Sequence, residues 1–278
     1  NFTVNGEYGS ISSEHAVSGS DGKAAVTFRP GTVAGDVTIT ATCGDLDVIL
    51  GNATVLHIDH AAPYRVASLL YDPEVTAGGE TDIVVRMEDR YGNVVDSKRE
   101  DARGGTPVVE NVTFMVGSPE ERATFTNGKD EITVPVDENG NVATTLGVST
   151  VAGQNIVYAA FPEGVGSYYL TINGLANGMP AKIYQNVSPW MEVSDYYPEL
   201  PLGGQFTITY AVYDEYGNAA GNRWIDVTAR LVSGSLTSGK WSVKTNNLGK
   251  AQITYQSSEL AGVIELSATA VDNASASC

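Results

Sequence analysis

A chain of 278 residues is long for one domain and comfortable for two or three packed units. Its 33 acidic against 16 basic side chains give a net charge of −17, which argues against a phosphate-backbone partner and suits a solvated or cation-binding surface. The 30 glycines and 14 tyrosines, with no sustained apolar stripe of helical period, predict an almost entirely β protein.

In chain order, the first unit is expected over 1–61. Gly22-Lys23-Ala24-Ala25-Val26-Thr27 reads as a turn entering a strand, Thr32-Val33-Ala34-Gly35 as a second turn, and Val37 to Thr42 as the strand it opens. Cys43 is expected as a small, partly buried residue at that strand's end. Ile58-Asp59-His60-Ala61 reads as a linker, because Pro63 fixes φ and suppresses pairing where one unit stops and the next starts.

The second unit is expected over 62–178. Ile83, Val85 and Met87 alternate along a strand that ends in Asp89-Arg90-Tyr91-Gly92-Asn93. Gly takes positive φ without steric cost and an Asp opening a turn accepts backbone hydrogen bonds, so this stretch is a turn. An insertion near 96–111, relative to the third unit, carries Lys98, Arg99 and Arg103 and is the local candidate for contact with an acidic neighbour. Gly140-Asn141-Val142-Ala143-Thr144-Thr145 and Thr150-Val151-Ala152-Gly153 then repeat the first unit's two turns, and a strand follows over Ile156 to Ala160.

The third unit, 179–278, opens at Pro180 after the linker Asn173 to Gly178. Phe206, Ile208 and Tyr210 alternate into a second copy of the turn, Asp214-Glu215-Tyr216-Gly217-Asn218. Gly249-Lys250-Ala251-Gln252-Ile253-Thr254 and Glu259-Leu260-Ala261-Gly262 follow. Gly22 to Gly35, Gly140 to Gly153 and Gly249 to Gly262 each span 13 residues, and coincidence in three places is improbable. The first unit lacks the Asp-x-Tyr-Gly-Asn turn and its preceding strands, and the third stops short after Gly262. Both ends are expected to be pieces of a longer protein or to be completed by a neighbouring chain's strand.

No nucleophile–base elbow accompanies His15, His57 and His60, so no enzyme activity is expected. Cys43 and Cys278 lie too far apart in sequence to meet if the units run end to end, and neither fits a metal pair. Calcium is the candidate cofactor: Asp89, Asn93, Asp137, Asn139, Asp214 and Asn218 offer oxygen atoms, without the spacing of a dedicated loop. Structural Asx turns are the simpler reading. Asn1, Asn52, Asn111, Asn186 and Asn273 stand in glycosylation sequons. Trp190, Tyr196 and Tyr197 form an aromatic cluster suited to a glycan or protein interface, with Trp224 and Trp241 later.

The Pro-led strand, Ala77-Gly78-Gly79 and Gly203-Gly204, the Asp-x-Tyr-Gly-Asn turn, the Gly-Lys-Ala turn and the Ala-Gly step together resemble bacterial immunoglobulin-like domains of the invasin and intimin type. The resemblance covers nearly the whole chain and implies tandem β-sandwiches at an extracellular cell surface. It implies no receptor and no activity. The expected function is structural, as a building block or spacer of a surface layer, sheath or filament. An adhesin stalk or a binding module for a cell, protein or glycan partner is the alternative, and a noncatalytic module of an extracellular enzyme the third. Expected partners are copies of itself or other cell-surface proteins, with no nucleic acid and no membrane span.

Overall fold

The computed structural model describes residues 1–4, 8–43, 54–99, 108–117, 123–188, 202–232, 237–257 and 262–278. Trp190, Tyr196, Tyr197, Arg103 and Asn52 lie outside them. The strands are β1 (Phe2–Val4), β2 (Gly9–Ile11), β3 (Phe28–Pro30), β4 (Gly35–Ala41), β5 (Thr54–Ile58), β6 (Pro63–Leu70), β7 (Glu74–Thr76), β8 (Glu80–Asp89), β9 (Asn111–Val116) and β10 (Thr124–Phe125). They continue with β11 (Glu131–Pro135), β12 (Asn141–Gly147), β13 (Gly153–Ala160), β14 (Ser167–Leu175), β15 (Lys182–Ser188), β16 (Gln205–Tyr213), β17 (Trp224–Leu231), β18 (Thr237–Lys244), β19 (Lys250–Gln256) and β20 (Ile264–Ala270). No helix occurs among the described residues. The protein is all-β, as its composition predicts.

The middle stretch holds two facing sheets, ordered β10-β12-β8-β6 and β11-β9-β13-β14-β7. In immunoglobulin terms the first follows D-E-B-A and the second contains C-F-G, with β7 running parallel to β14. Period-two alternation builds the layer between them. Along β8, Thr81, Ile83, Val85, Met87 and Asp89 are buried while the residues between them face outward or sit at intermediate depth. They meet Phe114, Val142, Leu146, Val157, Leu170 and Ile172 in one cluster. Each such side chain contributes about 1.5–3 kcal/mol when fully buried.

Residues 182–270 repeat the plan with sheets β15-β16-β19 and β18-β17-β20. Phe206, Ile208, Tyr210 and Val212 alternate inward along β16, against Ile225, Val227, Ala229 and Ala268. Past β20 the tail turns back, Ala268 and Cys278 exchange backbone hydrogen bonds at 3.0 and 3.1 Å, and Thr269 bridges Ser277.

The first stretch is thinner. Its sheet β1-β4-β5 matches the middle stretch's β9-β13-β14, beside a small β2-β3 ribbon. Among its described residues Val37 is the one buried apolar side chain. Cys43 departs from expectation: it is exposed. The strand ends at Ala41, which pairs with Phe2, and Thr42 bonds to Asn1 O, so Cys43 lies beyond the last ladder bond.

Every strand pair in extended contact lies within one of these three stretches. What crosses between them is turn against turn.

Candidate functional site

Asp89 closes β8 with its side chain turned inward, and a buried carboxylate needs hydrogen-bond donors on every side. Its Oδ1 accepts the backbone N–H of Tyr91 at 2.8 Å and of Asn93 at 2.9 Å. Its Oδ2 accepts the Asn93 side-chain amide at 2.8 Å and the N–H of Ala61, in the linker, also at 2.8 Å. Gly92 sits at φ 90°, where a β-carbon would be strained. Burial is the largest single influence on the Asp89 carboxyl and pushes its pKa up. The hydrogen bonds from Asn93, Ala61 and Tyr91 together outweigh it, so the carboxyl titrates below its ordinary value.

The turn holds Asn93 with its amide facing the preceding unit. Asn93 Nδ2 donates to Thr32 O at 2.8 Å, 61 residues earlier, and Asn93 Oδ1 accepts Ala34 N–H at 2.9 Å. One carboxamide thus pairs with the Thr32–Gly35 turn as a strand residue pairs with its neighbour.

The second junction repeats this arrangement. Asp214, fully buried, accepts Tyr216 N–H at 3.0 Å, Asn218 N–H at 2.8 Å and Asn218 Nδ2 at 3.0 Å. Asn218 Nδ2 donates to Thr150 O at 2.9 Å, and Asn218 Oδ1 accepts Ala152 N–H at 2.7 Å. Thr32-Val33-Ala34-Gly35 and Thr150-Val151-Ala152-Gly153 are identical. Two motifs that recur in the sequence are therefore the two halves of one joint, each half in a different unit.

The junctions differ around this shared clamp. At the second, a β-carbon on Gly78 would stand 3.2 Å from the Tyr216 ring, and Gly78 has φ 79°. Asn273 Nδ2 donates to Pro180 O at 2.9 Å, and Arg223 pairs with Asp272 at 3.3 Å. At the first, Tyr91 carries the Arg90 guanidinium 4.6 Å from its ring centroid. His57, near the end of β5, and His60, in the linker, stand beside it.

The remaining candidates stay within their own units. Asp137, exposed, accepts Asn139 and Asn141 N–H at 2.8 Å each, and hydrogen bonds led by that from Asn141 N–H hold its carboxyl below the usual value. Asn139 is exposed, and its carbonyl accepts Arg86 Nη2 at 3.0 Å. Arg99 is half-buried, and its carbonyl accepts Val108 N–H at 2.9 Å across the insertion. Asn111 and Asn186 are exposed at or within strands, and Asn1 is exposed with Oδ1 2.6 Å from His15 Nδ1. Asn273, half-buried, uses its amide at the second junction. The oxygens proposed for calcium at Asp89 and Asp214 face N–H groups, which repel a cation. Among the described residues no group of three His, Cys, Asp or Glu is arranged to hold a metal.

Trp224 is exposed, whereas Trp241 packs on the third-unit core with its ring edge-on to Tyr255 at 5.9 Å. No described helix is long and apolar enough to cross a membrane.

No family model matches the chain, and no curated protein matches it. Solved structures do. FdeC, an Escherichia coli adhesin, matches at 17% identity over 99% of this chain and 82% of that one, with a TM-score of 0.55. InvD of Yersinia pseudotuberculosis matches at 15% identity over 97% of this chain and 81% of that one, with a TM-score of 0.50. The shared feature is the fold, a succession of immunoglobulin-like β-sandwiches.

Proposed function

We propose that the chain is a stiff spacer in an extracellular surface protein, three immunoglobulin-like units over 1–61, 62–178 and 179–278, whose clamps transmit position and load from one unit to the next. The observation that carries this reading is the pair of buried carboxylates that aim Asn93 and Asn218 into the preceding unit. Buried charge fixes register in some folds, and here the two joints would specify the same geometry twice. An array with free linkers needs neither.

Fold likeness over nearly the full length to an adhesin supports the stalk of an adhesin ahead of a building block of a surface layer, sheath or filament. The surface partner would then lie on another cell or protein and be engaged by a part of the molecule that the stalk carries. Noncatalytic support of an extracellular enzyme is the lesser reading. The acidic surface fits a protein kept apart from its neighbours by like charge, and Asn1, Asn111 and Asn186 are the sequon residues exposed to solvent.

Electron tomography of the source cells with an antibody against this chain tests the choice. Isolated projections support the stalk. A regular two-dimensional or tubular array overturns it in favour of the lattice reading.

A further inference from the structure

Gly35, Gly153 and Gly262 stand at the same place in the three units, and the third and fifth residues after each fall on the outward side of the strand there. Their neighbours Val37, Val157 and Ala268 are buried, which fixes that parity. A sheet with one face in water turns apolar residues inward and polar ones outward. The first unit obeys with Thr38 and Thr40, and the third with Glu265 and Ser267. On the third unit's face Glu265 pairs with Arg230 at 2.7 Å, and Ser267 meets the Thr228 hydroxyl at 2.7 Å. The second unit breaks the rule with Ile156 and Tyr158.

Around that departure a row crosses four strands. Tyr169 on β14 stands opposite Tyr158 on β13, Tyr158 opposite Met115 on β9, and Met115 opposite Glu131 on β11. The two tyrosine rings lie 5.2 Å apart at an open angle of 57°, and Tyr169 is 73% exposed. Beside this row, two residues back along β9, the hydroxyls of Thr113 and Thr133 meet at 2.9 Å.

We propose that this row is a sugar-binding face, which seats a pyranose ring of a neutral oligosaccharide against Tyr158 and Tyr169 and turns the sugar's rim toward Thr113 and Thr133. Area decides against a second copy of the chain as the occupant. Three strands about 4.8 Å apart and two repeats of about 7 Å along them cover on the order of 200 Å², whereas a stable protein interface takes about 800 Å² from each partner. Charge decides against an ionic ligand. The row's one charged side chain is Glu131, at its edge, on a chain whose net charge is −17, so a polyanion is repelled and a polycation finds a single partner. A pyranose with equatorial hydroxyls turns its C–H bonds to the ring faces and its O–H groups to the rim, which matches apolar rings flanked by threonine hydroxyls. The face lies within one unit and is independent of the clamps, so its loss leaves the spacer reading untouched.

The test is saturation-transfer NMR on the full chain with cellohexaose and with chitohexaose, both neutral and equatorially substituted. Saturation should reach the ring C–H protons of at least one of them. Affinity should fall about tenfold or more in Tyr169→Ala and in Tyr158→Ser, the second of which installs the residue that the third unit carries at that place. Tyr64→Ala, which removes an exposed tyrosine from β6 in the other sheet, should change nothing. Should Tyr158→Ser fail to fold, Tyr169→Ala carries the test, because that ring stands largely in solvent. No transfer to either sugar at millimolar concentration overturns the proposal, as does transfer that Tyr169→Ala leaves intact or that Tyr64→Ala weakens equally. A dimer in sedimentation that Tyr169→Ala dissociates would assign the face to a second copy and overturn it too.

Discussion

Asp137 and Asp214 close turns of nearly the same wording, Asp-Glu-Asn-Gly-Asn and Asp-Glu-Tyr-Gly-Asn, and each Oδ1 accepts the N–H groups two and four residues ahead. Asp137 does this in solvent, whereas Asp214 is wholly buried. The difference lies in what stands opposite. Asn218 meets the Thr150–Gly153 turn of the preceding unit, while among the described residues no bond from the Asp137 turn leaves its own unit. Local sequence makes the turn. The neighbouring unit makes it a joint, and burial then raises the worth of every bond in it.

The largest effect in breaking this comparison is expected from Asp214→Ala, which strands the N–H groups of Tyr216 and Asn218 and the Asn218 amide inside a closed junction. A loss of about 3–5 kcal/mol is expected for the third unit, read from urea unfolding followed at its own tryptophans. Next comes Asn93→Ala or Asn218→Ala, which keeps the turn's backbone hydrogen bonds but removes the amide that Asp89 or Asp214 Oδ2 accepts and leaves a carbonyl and an N–H of the preceding unit unpaired. That should cost about 1–3 kcal/mol of coupling, seen as separate melting of units that otherwise unfold together.

A smaller effect comes with acid. Asp89 titrates below its ordinary value in the folded chain, so its contribution is complete above the unfolded carboxyl pKa of about 3.8 and is lost as pH falls through the lower folded value. Thermal stability at the first junction should therefore decline below about pH 4, and Asp89→Asn should flatten that decline from a lower starting point. Asp137→Ala is the smallest. Its donors can turn to water, and the melting curve should stay within about 0.5 kcal/mol of the parent.

The turns themselves were legible because their causes lie within five residues: an Asp to accept, a Gly for positive φ and an Asn to close. Gly22, Gly140 and Gly249 all adopt φ between 70° and 78°, as their common spacing implies. The partner of Asn218 was hidden because it lies 68 residues earlier and offers only backbone atoms, which no side-chain pattern marks. A signal did exist. Thr-Val-Ala-Gly precedes each Asp-x-Tyr-Gly-Asn by about one strand-rich half unit, so the two motifs alternate as a pair spanning each boundary. Cys43 was misplaced for a related reason, since a strand's last ladder bond depends on its partner strand, here the short β1. His57 and His60 carry no catalytic pattern, and the groups that face their rings, Asp36 and Asp59 for one and the Ala61 and Asp96 carbonyls for the other, are set by the folded chain.

The clamp is tested most directly across the second junction, where no histidine intervenes. Spin labels at Thr171→Cys and native Cys278, with Cys43→Ser, should give one narrow distance distribution in the otherwise unaltered chain and a broad one in Asn218→Ala, with both units still folded. A distribution already broad with Asn218 in place, or one that stays narrow without it, would contradict the account.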